Sequence, residues 1–326
     1  MKLFSFKKPN MLNEAQTAQK GWNLFIEILI FIVVFYSATI IEMFPVLAAA
    51  IVMLLASPEF RAVLKGEEVD TSGLLDKLSS SDAAMLIQLF ATVVMIIVVF
   101  LFCRFAQKRR LPSLGFRKKG ALKEYIIGLL AGGLVFSTIV LVCVLTNAMD
   151  ISYRTITAGA IGMLVLYFLG FMVQGMSEEV LCRSYFIISI ARRKNQIWLA
   201  IIVSSVAFAA LHLGNPGITA LSLVNLTLFG ILAGVYFIKR GNIWGIAAYH
   251  TMWNYVQGNV YGIKVSGLTL ESSIFAATIN EEMTILNGGS FGIEGGILTT
   301  IFQVVAIIIL LCTKQKDYVT EETTEE

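Results

Sequence analysis

The stretch Gly175 to Arg183 reads G-M-S-E-E-V-L-C-R and sets two carboxylates and a guanidinium inside an otherwise apolar run. Apolar sequence leads in from Ile156 through Phe171, Met172 and Val173, with Gln174 as the one polar break, and resumes at Tyr185 to Ile188. Ionisable side chains at membrane depth cost at least a few kcal/mol, so they face a protein interior and mark function. On a helix Glu179 and Arg183 stand four residues apart and pair on one face. Glu178 projects about 100° away from that face, which leaves it free for chemistry.

Composition fixes the setting of this stretch. Of 326 residues 57% are hydrophobic and only 14% charged, and the mean hydropathy is +0.78. That excess of apolar residues suits a bundle of membrane helices and no water-soluble domain. The formal net charge of +3 gives no reason to expect a nucleic-acid partner; the basic residues fall in short blocks between apolar runs and read as topology signals. Cys103, Cys143, Cys182 and Cys312 are scattered, with no disulfide framework or CxxC knuckle.

Working outward, hydropathy predicts an all-α, polytopic bundle of about eight transmembrane helices. The spans are about 22–41, with a continuation at 43–56 broken by Pro45, then 83–103, 125–146, 156–190, 197–213, 218–238, 243–263 and 295–311. The first run is too long for a signal-peptide core and reads as a retained helix. The connecting segments alternate between basic and acidic or neutral. By the positive-inside rule both termini are expected in the cytoplasm. The expected organisation is a cytoplasmic segment 1–21 with a short amphipathic piece, helices one to three over 22–155, a core of helices four to seven over 156–263, and an outer loop, last helix and acidic tail over 264–326.

His212 and His250 are the two histidines of the chain, and both fall in apolar spans. His212 closes F-A-A-L-H (Phe208 to His212), and His250 opens H-T-M-W-N, putting Asn254 on its own helix face at i+4. Polar groups on different helices at membrane depth are driven together because lipid offers no alternative partner. A Glu oriented by a His can take a proton from water for attack on an amide carbonyl. A second His with an Asn can donate to the tetrahedral oxyanion. The same Glu178, His212 and His250 could instead hold Zn²⁺, although H-E-x-x-H is absent, as is G-x-S-x-G.

E-E-V-L-C-R, F-A-A-L-H and H-T-M-W-N together resemble the EExxxR, FxxxH and HxxxN/D motifs of the CAAX protease and bacteriocin-processing (CPBP, or Abi) family of intramembrane proteases. The resemblance covers about 156–263. It implies an endopeptidase acting on a membrane-associated peptide or protein, with Glu178 as general base, His212 as its partner on the water, and His250 with Asn254 as the oxyanion site. Glu179 and Arg183 would hold the local geometry, and Phe208 would shield the site. A glutamate-type mechanism without cofactor is the expectation, because Asn254 is a good hydrogen-bond donor and a poor zinc ligand; zinc is the alternative. Lipid bilayer and a peptide or protein substrate are the expected partners, in a bacterial cytoplasmic membrane, with peptide maturation or bacteriocin self-immunity as the roles implied.

Rival readings are a non-catalytic scaffold or immunity protein that binds a peptide or sensor partner, and a proton-relay transporter, which the absence of repeats disfavours. Geometry sets the sharpest requirement. At about 1.5 Å per residue, Glu178, His212 and His250 lie about 20, 24 and 12 Å from the cytoplasmic ends of their spans. Straight helices would not bring them level, and the catalytic reading requires that they converge.

Overall fold

A computed structural model describes residues 5–18 and 21–316. Lys2, Lys20 and the acidic C-terminal run 317–326, which entered the sequence reading, lie outside the described residues. The expected amphipathic piece is helix α1 (Asn10–Ala18), which buries Met11, Leu12 and Ala15. Next comes α2 (Leu24–Ala56), one helix of 33 residues. Pro45 lies inside it without splitting it. At about 50 Å it exceeds the hydrocarbon thickness, as a tilted or protruding helix does. Short helices α3 (Pro58–Leu64) and α4 (Leu74–Ser79) form the acidic loop.

Helices α5 (Asp82–Ala91) and α6 (Val93–Leu101) run on through a π-helical turn to Ala106 as one apolar stretch, and α7 covers Ala121–Leu145. The fourth span is α8 (Ala158–Glu179), a π-helical segment Val180–Ile187, and α9 (Ile188–Lys194). Then follow α10 (Ile197–Leu211), α11 (Ala220–Arg240) and α12 (Trp244–Tyr255), a short α13 (Thr284–Asn287) and α14 (Ile297–Cys312). Five stretches, 24–56, 82–106, 121–145, 158–194 and 220–240, are long and apolar enough to cross a membrane; α10 and α14 are shorter apolar helices. The chain is a multi-pass helical membrane protein.

The all-helical expectation needs one addition. Strand β1 (Met149–Tyr153), in the exit loop of α7, pairs antiparallel with β2 (Phe275–Ile279) of the long loop before α14. Non-helical backbone next to the membrane must find partners for its N–H and C=O groups, and the ribbon supplies them. That loop is also less external than expected: Phe291 and Ile293 are fully buried, and Asn287 donates to the carbonyls of Ala148 and Asn280 at 2.8 Å.

Basic segments gather at one end of the bundle. Lys7 and Gln315 exchange hydrogen bonds of 2.9 and 2.8 Å, Glu124 pairs with Arg240 and Lys316, and Trp244 Nε1 donates to the Arg117 carbonyl at 2.7 Å. The opposite end holds the ribbon and the contacts of Tyr167 and Ser272 with Asp82. Arg109 is buried at the basic end, donating to the Ser184 and Ser113 carbonyls at 2.8 and 2.9 Å; its burial pulls its pKa below the usual guanidinium value.

Small residues set the helix spacing. Gly128 and Gly132, four apart on α7, let the backbone of α12 approach so closely that a Cβ at either would run into the carbonyl oxygen of Gly245 or Tyr249. This is the small-xxx-small packing of membrane helices. Gly128→Val is therefore expected to cost about 1–3 kcal/mol by overpacking and to lower the melting temperature in detergent. Gly162→Ala, at a position with open space around the added carbon, is expected to leave it unchanged.

Candidate active site

The site is built on two neighbouring stripes of α8. Phe171, Gly175 and Glu179, one helical turn apart, face α12. A Cβ on Gly175 would sit only 3.0 Å from the Thr251 nitrogen and 3.3 Å from the Ala247 carbonyl oxygen, so glycine gives this close approach without pushing α12 back. One turn further on, the same closeness brings Glu179 to His250. Glu179 is completely buried. Its Oε1 accepts from His250 Nδ1 at 2.9 Å and its Oε2 lies 3.1 Å from Arg183 Nε. The guanidinium is held by charge and rings more than by aligned hydrogen bonds, with its carbon 4.7 Å above the Phe208 ring and 5.9 Å from that of Phe229. Phe208 thus carries Arg183 as well as shielding the site.

The second stripe, Gln174 and Glu178, faces a cavity. Gln174 Nε2 donates to Glu178 Oε1, and Asn254 Nδ2 donates to Gln174 Oε1 at 3.0 Å. Glu178 Oε2 lies 3.7 Å from His250 Nε2, beyond hydrogen-bond reach, and has no donor among the described residues. The His250 imidazole therefore stands between two carboxylates, one sealed and one open to the cavity. A carboxylate only accepts, so His250 carries its proton on Nδ1 toward Glu179 and turns Nε2 to Glu178.

His212 caps the C-terminus of α10. Its Nδ1 lies 2.8 Å from the Phe208 carbonyl oxygen; a carbonyl cannot donate, so Nδ1 carries a proton, and the neutral ring presents Nε2 as its acceptor. Its ring packs against Phe208 with centroids 4.8 Å apart.

All four residues of the sequence reading, Glu178, His212, His250 and Asn254, line one cavity of about 300 Å³. The mismatch expected for straight helices is absorbed by shape. The fourth span is π-helical beyond Glu179, α10 ends at Leu211, and the long loop folds back over the site, where Asn215 Nδ2 donates to the Ser266 carbonyl at 3.2 Å. Of the two imidazoles, that of His250 comes within 3.7 Å of Glu178, and Asn254 is tied to Gln174.

The structure adds residues that the sequence reading passed over. Glu42 of α2, Glu294 of the folded loop and Gln303 of α14 line the cavity. Asn225, a polar residue that the sequence places in the sixth span, lines it as well and donates to the Glu294 and Gly296 carbonyls at 2.7 and 2.8 Å. Their signal was available: Glu42 is the lone charge between Glu27 and Glu59, and Gln303 the lone amide of an apolar helix. As to zinc, no three His, Cys, Asp or Glu side chains among the described residues come together as a metal site. His250 Nδ1 is committed to Glu179, which leaves its Nε2 as the nitrogen that a metal would take, 3.7 Å from Glu178 Oε2.

Breaking a buried ion pair leaves an uncompensated charge, at a cost of about 3–5 kcal/mol, whereas removing both charges costs far less. Arg183→Met should accordingly depress the melting temperature in detergent strongly, and adding Glu179→Gln to it should restore most of the loss.

No curated protein and no solved structure matches the chain. Residues 160–256 match the Rce1-like family model, described as type II CAAX prenyl endopeptidase Rce1-like. That segment encloses all three motifs, and the match is consistent with the CAAX protease and bacteriocin-processing family of intramembrane proteases.

Proposed function

We propose that the protein is an intramembrane endopeptidase of glutamate type, hydrolysing a peptide bond of a membrane-associated peptide or protein. The observation that carries this reading is the convergence of Glu178, His212, His250 and Asn254 on one cavity in which Glu178 Oε2 has no donor among the described residues. A water there finds two acceptors, Glu178 Oε2 and the bare Nε2 of His212. Donating one hydrogen to each, it turns a lone pair outward toward a carbonyl carbon. Glu178 takes the proton as attack proceeds and delivers it to the leaving amine. Asn254 has a second amide hydrogen beyond the one given to Gln174, and His250, when protonated on Nε2, supplies another donor for the oxyanion. Glu179 fixes the orientation of His250, and Arg183 offsets the charge of Glu179.

Substrate access is supported by an apolar groove of about 440 Å³ between α2 and α10, which shares Phe35 and Leu211 with the cavity. In this route α2 forms one wall. The clustering of basic segments at the end where residues 7 and 315 meet supports a cytoplasmic placement of that end, in a bacterial membrane. Peptide maturation or self-immunity to a bacteriocin are roles that such a protease would serve.

Cleavage of a membrane-peptide library by purified protein in detergent tests the reading. Glu178→Gln is expected to lower turnover by about 10²–10⁴-fold, Asn254→Ala by about 10²-fold, and a zinc chelator to change nothing. Loss of activity on chelation would move the chemistry to a metal. A cellular phenotype that survives Glu178→Gln, with no cleavage by the wild type, would replace the protease by a binding scaffold. Orientation is testable separately by cysteine labelling in cells, in a background without Cys312. Asp70→Cys should react with an impermeant reagent from outside, and Lys118→Cys only after permeabilisation.

A further inference from the structure

Among the described residues, three oxygen atoms of side chains lining the cavity lack a hydrogen-bond donor: Glu42 Oε1, Glu178 Oε2 and Gln303 Oε1. They come from three helices far apart in sequence, α2, α8 and α14. Gln303 is only 2% exposed, so its amide oxygen is an acceptor shut inside the bundle and facing this space. Buried acceptors are ordinarily satisfied, and leaving one unpaired is unfavourable.

The charge pattern is equally one-sided. Glu42, Glu178 and Glu294 line the cavity, and among the described lining residues His212 and His250 are the basic side chains, with no lysine or arginine. Glu294 is internally satisfied: its Oε2 accepts from the Ser266 nitrogen at 2.8 Å, Ser266 Oγ at 2.9 Å and Gln257 Nε2 at 3.3 Å. His250 is engaged by Glu179. Among the described residues lining the cavity no lysine or arginine faces Glu42, and Glu178 has an imidazole 3.7 Å away, while Met85, Leu89, Met95 and Phe171 supply apolar wall. Water could satisfy the oxygens but not the charge. A donor-rich organic cation would answer both the oxygens and the charge of an ionised Glu42.

We propose that the cavity selects substrates carrying a lysine or arginine side chain close to the bond to be cut, with Glu42 as its counter-charge and the Gln303 carbonyl oxygen as a further acceptor. This rests on the protease reading for the bond that is cut, but not for the recognition of the cation. Glu42 acts here as a specificity residue, with no part in proton transfer. Its position on α2, which also walls the apolar groove, places the selection where an entering segment passes. The groove takes apolar residues, and Glu42 asks for one positive charge beside them.

The test uses fluorescein-labelled, acetylated and amidated apolar peptides with a single lysine, arginine, norleucine or citrulline walked along the sequence. Binding is read by anisotropy on the full-length His212→Ala protein in an uncharged detergent, so that cleavage does not intervene, and cleavage is read on wild type. Lysine and arginine peptides are expected to bind about tenfold or more tightly than their norleucine and citrulline counterparts, as befits hydrogen bonds to a charged group. Glu42→Gln, which is isosteric and is checked by gel filtration and melting temperature, should abolish that preference. Glu42→Lys should turn it toward a glutamate-bearing peptide. Equal affinities, or a preference that survives Glu42→Gln, would overturn the proposal. Glu178-dependent cleavage without any cation preference would remove the proposal and leave the protease. A Glu42-dependent preference without cleavage by the wild type would leave the cation site and remove the protease.

Discussion

A carboxylate with no exposure at all, Glu179, is the constraint on which this structure depends. An ionised group cannot be taken out of water without partners, and Glu179 has two, Arg183 on its own helix and His250 on α12. To reach both it needs α8 and α12 in near contact, which Gly175 allows, and α12 in turn needs α7 close behind it, which Gly128 and Gly132 allow. Arg183 then needs a cover for its unbonded nitrogens and finds the rings of Phe208 and Phe229. One buried charge thereby ties four helices to the same point.

What this scaffold holds in place is a neighbour, not itself. Glu178 differs from Glu179 by one step along the helix, and that rotation of about 100° separates a sealed ion pair from a carboxylate open to a cavity. The contrast explains why two adjacent glutamates do different work. The first sits beside water-sized space with one oxygen unpartnered, and the second spends both oxygens on orientation. His250 reads both of them, one through each ring nitrogen. His212 contributes from a helix end, where its own backbone fixes the tautomer.

Much of this was legible in the residues. The positions of Glu178, His212, His250 and Asn254 stood out because polar groups are rare and costly in apolar runs, and helical spacing sufficed to pair Glu179 with Arg183. Glu42 and Gln303 carried the same signal, but a single acid or amide on a helix says nothing of which helix it will face. The β1/β2 ribbon joins segments more than 120 residues apart and left no periodic trace strong enough to foresee. Pro45 allowed either a kinked extension or an interfacial piece in the sequence, and α2 continues through it as one helix.

The sequence by itself determined a membrane bundle, the order of its helices and the short list of side chains with chemistry to offer, since these follow from local hydrophobicity and from spacing within one helix. Only the tertiary structure decided that the three motifs meet in a single cavity, that Glu178 looks to His250 while Asn254 holds Gln174, and that α2 and α14 bring unpartnered oxygens to the same space. Those facts depend on how closely helices approach and where each one ends, and such distances are set by packing between segments remote in the chain.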